Sequence, residues 1–398
     1  MNPLRILLLL LLTTIFPADS FAQITYVTRE VRLKDGTNLR LRMPLGYRIA
    51  PAMEGMRRLR FLAKSPDGRL FATDMFDKSD NSKGTVYLFE GWDERNKAFK
   101  SRKIFASGLR NPNQVAFYSE GGRHYIYIAE THRLTRYLYT SGDTVLRGTP
   151  QHLASFPDYG LSYKYGGWHL TRSIAFNKGK VYVSVGSSCN ACIEKENIRA
   201  SIIEMNPDGS GQQVFATGLR NSVGIRWANG NLWTTGMGRD LIGPDKPEDL
   251  FHIVERGKFY GWPFYFQYRG KVYPDLALMD SAVKYKAKVP LRPSPVKTGF
   301  QAHVAPLGFD YFSGFRDPLL RNRFLVALHG STSVWRQRGN ALVLVNEQGR
   351  YFPFIDGFLE GKTESGRKGR PCDVLMNDDH SFFFTDDHKG VLYYVWKE

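Results

Sequence analysis

A histidine and its neighbours are the first candidates for chemistry in this sequence. His169 lies between a Gly-Gly-Trp turn and Arg172, directly before a run of β-branched and aromatic residues. A neutral imidazole at the start of a strand can act as a general base toward a substrate hydroxyl. The alternative interpretation is a structural histidine that packs against Trp168.

Arginines at two other places predict the binding of an anion. Arg220 is followed by Asn221, and Arg370 lies in a Gly-Arg-Pro turn. A guanidinium group binds a carboxylate through two parallel hydrogen bonds, so several around one pocket imply a ligand with several negative charges. Taken singly, each arginine is better explained by a structural role in which it ties loops together through backbone carbonyls.

A turn-rich acidic segment is a candidate cation site. Residues 238–250 read Gly-Arg-Asp-Leu-Ile-Gly-Pro-Asp-Lys-Pro-Glu-Asp-Leu. Carbonyl oxygens in such turns, together with the carboxylate of Asp240, are hard ligands suited to Ca²⁺. The spacing of the acidic residues is not that of an EF-hand.

Short hairpin repeats must position these residues. Six times, two apolar runs enclose a Gly, Asn or Asp turn, and a further apolar strand follows. The copies are residues 61–73, 115–130, 173–185, 224–236, 307–329 and 373–386. A second echo is the similarity of residues 105–112 to residues 215–222. Recurrence of this kind predicts an all-β fold, a six-bladed β-propeller.

The propeller geometry predicts where side chains converge. The first strand of each blade faces the central channel, so residues just before those strands share one end of it. We therefore expect a common pocket lined by His169, Arg110, Asn111, Arg220, Asn221, His303 and Arg370. Residues 260–305, rich in Pro, Lys and Tyr, are predicted to form a long loop between blades four and five that walls the pocket.

The N-terminal 22 residues have the pattern of a secretory signal peptide. Arg5 precedes an apolar run from Ile6 to Leu12, and Ser20-Phe21-Ala22 forms a small-x-small cleavage site. The apolar run is too short to span a bilayer. We expect residues 1–22 to be removed and residues 23–398 to form the propeller, in the periplasm or outside the cell.

The charge balance restricts the partners. A formal net charge of +17 favours acidic partners such as acidic glycans or an acidic electron-accepting protein. Nucleic acid is not expected, because an exported protein seldom meets it and the sequence has no basic run of five or more residues.

The cysteines leave two interpretations open. Cys189 and Cys192 could form a structural disulfide in an oxidising compartment, or they could be a redox-active pair, although no helix start follows them. A zinc site would need further regularly spaced ligands, which the sequence lacks. There is also no Walker A loop, no HExxH motif and no Gly-x-Ser-x-Gly elbow, and the Gly-rich stretches lie in hairpins, which argues against a dinucleotide site.

At these residues the chain resembles the soluble quinoprotein sugar dehydrogenases, the glucose/sorbosone dehydrogenase family. The motifs that carry the resemblance are Gly167-Trp-His-Leu-Thr-Arg, Val185-Gly-Ser-Ser-Cys-Asn, Gly218-Leu-Arg-Asn, Gly238-Arg-Asp, Tyr260-Gly-Trp-Pro, Ala305-Pro-Leu-Gly, His329-Gly-Ser, Gly369-Arg-Pro and Thr385-Asp-Asp. The resemblance implies a six-bladed propeller that uses pyrroloquinoline quinone (PQQ) and Ca²⁺.

The resemblance also implies roles for individual residues. His169 would be the base, and Arg220 and Asn221 would lie at the quinone, with Arg220 stabilising its reduced oxygen. Arg370 would bind the cofactor's carboxylates with Asp386 as a nearby polar contact, and His329 stands where glucose-oxidising relatives have a lysine. Gly243 and Pro244 would supply carbonyl ligands to Ca²⁺, in addition to the Asp240 considered above.

The expected activity is therefore an exported, PQQ- and Ca²⁺-dependent dehydrogenase of aldose- or sorbosone-type sugars. Its partners would be a small sugar and an external electron acceptor, either a quinone or a cytochrome. The alternatives are a calcium-dependent propeller lactonase or hydrolase, and a non-catalytic propeller that binds glycan or protein.

Overall fold

The structure consists almost entirely of β-strands. The computed structural model describes residues 24–158, 169–290, 292–330, 337–346, 348–361 and 363–398. The predicted signal peptide, residues 1–22, lies outside this part of the chain, and so does Trp168. The first three strands are β1 (Tyr26–Arg32), β2 (Asn38–Pro44) and β3 (Tyr47–Met53).

Each predicted repeat forms an antiparallel sheet of four strands, a blade. Blade one contains β4 (Leu59–Lys64), β5 (Leu70–Asp74), β6 (Gly84–Asp93) and β7 (Ala98–Leu109), and blade two β8 (Gln114–Glu120), β9 (Arg123–Ala129), β10 (Arg133–Tyr139) and β11 (Gln151–Ser155). Blade three contains β12 (Ile174–Asn177), β13 (Lys180–Val185), β14 (Ser201–Met205) and β15 (Gln213–Thr217).

The other three blades contain one insertion and one strand from the N-terminus. Blade four contains β16 (Ile225–Ala228), β17 (Asn231–Gly236), β18 (Asp249–Val254) and, after an insertion, β21 (Thr298–Phe300). Blade five contains β22 (Pro306–Tyr311), β23 (Phe324–Leu328), β24 (Ala341–Val345) and β25 (Tyr351–Ile355). Blade six contains β26 (Pro371–Met376), β27 (Ser381–Asp386) and β28 (Val391–Lys397), with β3 as its outer strand.

The blades close into a ring. The first strands of successive blades contact one another in order, and β26 of blade six contacts β4 of blade one. Strand β3 pairs with β28, so the two ends of the described chain are joined within one sheet. These contacts confirm the prediction of a six-bladed propeller whose first strands surround the channel.

A repeated hydrogen bond joins neighbouring blades near the channel. Three threonines in second strands, Thr73, Thr235 and Thr385, donate to the carbonyl oxygens of Asn113, Leu307 and Arg60 in the next blade, at 2.6, 2.7 and 2.7 Å. Second strands such as β5, β23 and β27 are buried along their whole length. Sheets that pack on both faces need such continuous apolar strands, and the result is a rigid frame around the channel.

The predicted loop between blades four and five is wrong in its placement. Residues 260–305 lie largely within blade four, between its third and fourth strands. They include a hairpin of β19 (Tyr265–Tyr268) and β20 (Lys271–Pro274), and helix α1 (Leu276–Tyr285). Asp275 caps the helix, because its side chain accepts the Leu278 N–H. In the described ranges, no helix is long and apolar enough to cross a membrane.

Candidate active site

Five of the six blades contribute residues to one cavity of about 340 Å³ at an end of the channel. The predicted residues that line it are His169, Arg220, Asn221, His303, His329, Arg370 and Asp240. They come from loops that precede the first strands of blades three to six, or from loops beside them. These residues come together because the first strands form a ring, and the loops that precede them all lie at the same end of the channel.

His169 is held by its backbone and by one ring nitrogen. Its φ of 66° lies in the left-handed region, and the buried Arg172 donates to its carbonyl oxygen at 2.8 Å. Its Nδ1 lies 2.9 Å from the carbonyl oxygen of Ser187. That acceptor keeps the proton on Nδ1 and leaves the lone pair on Nε2, the tautomer that a general base requires. Gly186 allows this approach, since a Cβ there would lie 2.6 Å from the Cβ of His169.

The imidazole of His169 is neutral at ordinary pH. Burial, assisted by the nearby charge of Arg220, lowers the pKa of His169 to about 3. Arg220 is itself buried, and it donates from Nε to the carbonyl oxygen of Asn190 and from Nη2 to its Oδ1, both at 2.9 Å. Its Nη2 also lies 3.2 Å from Oδ2 of Asp240. The base candidate and a fixed cation therefore lie in the same wall of the cavity.

The predicted cation ligands are divided between two places. Asp240 lines the cavity, and its Oδ1 lies 3.7 Å from Nδ1 of His303. Gly243 and Pro244 are not among the lining residues, and the Gly243 carbonyl oxygen accepts from Nε2 of His303 at 2.9 Å. The segment 238–250 thus places a carboxylate in the cavity but directs one candidate carbonyl toward a histidine.

A buried carboxylate organises the opposite wall of the cavity. Asp387 Oδ2 lies 2.9 Å from Arg58 Nη1 and 2.8 Å from Arg60 Nη1, and Asp387 Oδ1 lies 2.6 Å from His329 Nε2. Burial alone would raise the pKa of Asp387, but the His329 imidazole and the two guanidinium groups hold it well below its usual value. Burial lowers the pKa of His329 well below its ordinary value, so His329 is a neutral donor to an ionised Asp387.

Two further cations complete this wall. Arg370 donates from Nε to the carbonyl oxygen of His329 at 3.0 Å and from Nη2 to that of Gly330 at 2.5 Å. Burial lowers its pKa to about 10, so it remains charged. Lys78 also lines the cavity, and burial followed by repulsion from Arg370 and Arg58 lowers its pKa to about 8. This wall thus has four cations, Arg58, Arg60, Arg370 and Lys78, and one carboxylate, Asp387. The surplus of positive charge suits an anionic ligand.

Some predicted residues lie outside the cavity. Asp386 is buried behind the wall, where its Oδ1 accepts the backbone N–H of Arg370 at 2.9 Å. Arg110 instead forms ion pairs with Asp80, at 2.7 Å, and with Asp158. Asn111 is completely buried and donates from Nδ2 to the carbonyl oxygen of Ser79. These side chains hold loops in place.

The sequence analysis missed four charged residues of the wall around Asp387. Arg58, Arg60, Lys78 and Asp387 were not predicted, although all line the cavity. The signal was available, because Arg58 and Arg60 lie within three residues before Phe61 of the first repeat, and Asp387 follows Asp386, the end of the last repeat. Of the cysteines, Cys189 and Cys192 form a disulfide, the bond that the structural interpretation predicts, and Cys372 is buried and unpaired.

Comparisons with known proteins give one family. The family model "Glucose / Sorbosone dehydrogenase" matches residues 162–352. A protein of Borreliella burgdorferi described as "Uncharacterized protein" is 28% identical over 229 residues, which are 55% of this chain and 58% of that protein. This chain therefore spans less than two thirds of that relative's length.

Solved structures share the fold at low identity. The holo form of the pyranose dehydrogenase PQQ domain from Coprinopsis cinerea has a TM-score of 0.71 and 16% identity, covering 90% of this chain and 97% of that one. The calcium structure of a Trichoderma reesei family AA12 enzyme has a TM-score of 0.69 and 16% identity, with coverages of 94% and 98%. The PQQ-bound aldose sugar dehydrogenase from Streptomyces coelicolor has 0.59 and 16%, with coverages of 89% and 100%.

Proposed function

We propose that this chain, whose residues 162–352 match the glucose/sorbosone dehydrogenase family model, is a member of that family and a PQQ-dependent dehydrogenase that oxidises a CH–OH group of an aldose- or sorbosone-type sugar. The observation that carries the proposal is the combination of two walls around one cavity. One wall holds a neutral imidazole in the tautomer of a base beside Arg220. The other has more cations than carboxylates.

The cation-rich wall fits a flat guest that bears several carboxylates. Asp387 is shared by Arg58, Arg60 and His329, whereas the guanidinium of Arg370 donates to the backbone carbonyl oxygens of His329 and Gly330. A cation held by neutral carbonyls keeps its charge for a ligand. Arg370 and Lys78 would therefore bind carboxylates of the quinone, and Arg220 with Asn221 would contact its carbonyl oxygens.

The residues of the chain divide the chemical step. His169 Nε2 would accept the proton of the substrate hydroxyl, and the imidazolium so formed would later release it to solvent. Arg220 would stabilise negative charge that develops at the quinone oxygens, because its guanidinium is fixed before the reaction. When bound, the quinone supplies the two-electron oxidant that takes hydride from the sugar carbon.

Calcium is a further part of the proposal. Asp240 is the cavity carboxylate that would ligate it, with Gly243 and Pro244 as the carbonyl donors that the family resemblance implies. The hydrogen bond from His303 to the Gly243 carbonyl oxygen would share that oxygen with the ion. Export through residues 1–22 and transfer of electrons to an external quinone or cytochrome are proposed on the sequence alone.

A titration followed by a sugar panel tests the function. Purified protein is titrated with PQQ in the presence and absence of Ca²⁺, and dye reduction is then measured with a series of aldoses. Saturable quinone binding and sugar-dependent dye reduction support the proposal. Opening of a lactone without quinone would establish the hydrolase instead, and glycan retention with neither activity would establish a binding propeller.

A further inference from the structure

We call the side of the cavity that holds His169, Arg220 and Asp240 the catalytic wall. The loop that follows strand β13 is closed by a disulfide and contacts His169 and Arg220 in this wall. We call residues 187–192 the disulfide loop, since Cys189 and Cys192 are bonded at its end. It is also anchored by Ser188, whose N–H and Oγ donate to the two carboxylate oxygens of Glu194 at 2.6 and 2.7 Å. Both cysteines are partly exposed, so the bond is accessible to a reductant.

Asn190, inside this loop, uses its backbone and its side chain to hold the catalytic wall. Its carbonyl oxygen and its Oδ1 accept from Nε and Nη2 of Arg220, both at 2.9 Å. Its Oδ1 also accepts the backbone N–H of Asp240 at 2.8 Å, and its Nδ2 donates to the Asp240 carbonyl oxygen at 3.1 Å. Trp262 Nε1 donates to the backbone carbonyl oxygen of Asn190 at 3.2 Å.

This pattern fixes the plane of the Arg220 guanidinium. Two donors of one planar group meet two acceptors of one residue, so rotation about the end of the side chain breaks at least one hydrogen bond. The amide of Asn190 cannot turn over either, because its oxygen faces two donors and its nitrogen faces a carbonyl. Asp240 completes the arrangement as the counter-charge of Arg220.

The same loop reaches the base candidate through Ser187. The Ser187 carbonyl oxygen lies 2.9 Å from Nδ1 of His169, and its Oγ donates to the Cys189 carbonyl oxygen at 2.8 Å. One short closed segment therefore contacts His169, Arg220 and Asp240.

We propose that Asn190 is a positioning residue that sets the guanidinium plane of Arg220 and the place of Asp240, and that the Cys189–Cys192 disulfide acts by holding Asn190 there. The proposal rests on the proposed function for its kinetic readout only. Groups that orient catalytic residues without touching the substrate typically contribute about 10–100-fold to activity. The disulfide contributes less than Asn190, because the Ser188–Glu194 hydrogen bonds remain after reduction.

The test compares Asn190→Ala with Asn206→Ala. Asn206 lies in the same blade, and its side chain also makes hydrogen bonds to other side chains, those of Lys180 and Ser210, away from the cavity. We expect Asn190→Ala to lower kcat by about 10–100-fold and to weaken PQQ binding, with the sugar KM and the apoprotein Tm close to those of Asn206→Ala. Equal kcat and PQQ affinity in the two variants would overturn the proposal.

Reduction tests whether the disulfide acts through Asn190. Tris(2-carboxyethyl)phosphine should lower kcat of the wild-type protein, and the Cys189→Ser, Cys192→Ser double variant should do the same. In the Asn190→Ala background, reduction should cause a smaller loss than in the wild-type protein, because the side-chain contacts of residue 190 are already absent and only its carbonyl contacts remain. Losses that multiply independently would overturn this part of the proposal.

Crystal structures of the two apoproteins separate this proposal from the proposed function. If the wild-type protein binds no PQQ, the dehydrogenase function fails, but the positions of Arg220 can still be compared. A displaced Arg220 guanidinium in Asn190→Ala, and an unchanged one in Asn206→Ala, supports the positioning role. An unchanged Arg220 in both variants overturns it.

Discussion

Arg220 on one wall of the cavity, and Arg58 and Arg60 on the other, are held by different means. On the wall from blades three and four, Arg220 is bound by the carbonyl and amide oxygens of Asn190, with Asp240 as a half-exposed counter-charge. On the wall from blades one, five and six, Arg58 and Arg60 share the fully buried carboxylate of Asp387. The first is the catalytic wall, and we call the second the ionic wall.

The contacts of Arg220 mainly orient its guanidinium group, whereas the contacts of Arg58 and Arg60 mainly balance charge. Neutral oxygens fix the geometry of a cation without cancelling its charge, which suits a group that must stabilise charge during a reaction. A buried carboxylate shared by several cations requires all of its partners, because removal of one member leaves an unpaired charge in a place with little water. Substitutions in the catalytic wall should therefore change activity, and substitutions in the ionic wall should change stability.

The largest expected effect is that of His169→Ala. Loss of a general base typically costs about 10²–10⁴-fold in rate, and kcat should fall by that factor. The affinity for PQQ should stay within a few-fold of wild type, because the base acts on the sugar. Steady-state assays of dye reduction measure kcat, and a fluorescence titration with PQQ measures the affinity. His152→Ala, at an exposed histidine, is the control, and an equally large loss of quinone binding in His169→Ala would show that its role is misassigned.

The ionic wall should respond in the opposite way to Asp387→Asn. This change leaves Arg58 and Arg60 without their carboxylate, and breaking a buried pair typically costs about 3–5 kcal/mol of unfolding free energy. Urea unfolding at neutral pH measures it. The matched control is Asp379→Asn, since Asp379 pairs with Arg316 where both side chains are at least half exposed, at 50% and 71%. An exposed pair contributes about 0–1 kcal/mol, and equal losses in the two variants would refute the comparison.

The fold could be predicted because its signal is local and repeated. Each hairpin can be recognised within about a dozen residues, and six such hairpins predict the ring of blades. The insertion in blade four was misplaced because β21, which completes that blade, is only three residues long and follows the helix. A short outer strand has no periodicity from which to recognise it.

The site could be predicted only where repeat position alone decides it. Residues 105–112 and 215–222 are nearly identical, yet Arg220 lines the cavity and Arg110 does not. The difference lies in partners distant in sequence, Asp80 and Asp158 for Arg110. Asn190 belongs to one of the motifs that carry the family resemblance, but its role could not be predicted for the same reason, since Arg220 and Asp240 are 30 and 50 residues away along the chain.

A third carboxyl group sharpens the comparison with a smaller effect. Asp373 is buried on β26, next to the ionic wall, and among the described residues it forms no salt bridge. Its Oδ2 accepts the backbone N–H of Leu62 at 2.9 Å. Burial raises the pKa of Asp373 to about 7, opposed in part by Arg226. Asp387, with its cations, is shifted in the opposite direction.

The sign of the pH dependence follows from proton binding. The unfolded carboxyl loses its proton near pH 4, at the ordinary pKa of about 3.9, whereas folded Asp373 keeps it until about pH 7. Between these values the folded state binds more protons, so this group's contribution to stability falls as the pH rises and is constant above the folded pKa. Asp373→Asn removes the titration, while its amide oxygen can still accept the Leu62 N–H. The stability of the variant relative to wild type should therefore increase between about pH 4 and about pH 7 by up to about 4 kcal/mol and then level off, because each pKa unit corresponds to about 1.4 kcal/mol. Asp249 and Asp386, whose pKa values burial raises to about 6, titrate in both proteins and cancel in the difference. Urea unfolding of both proteins across this pH range measures the difference in stability. A difference that does not change with pH would mean that Asp373 is ionised in the folded protein, as Asp387 is. An isolated carboxylate would then be tolerated beside the ionic wall without cations of its own.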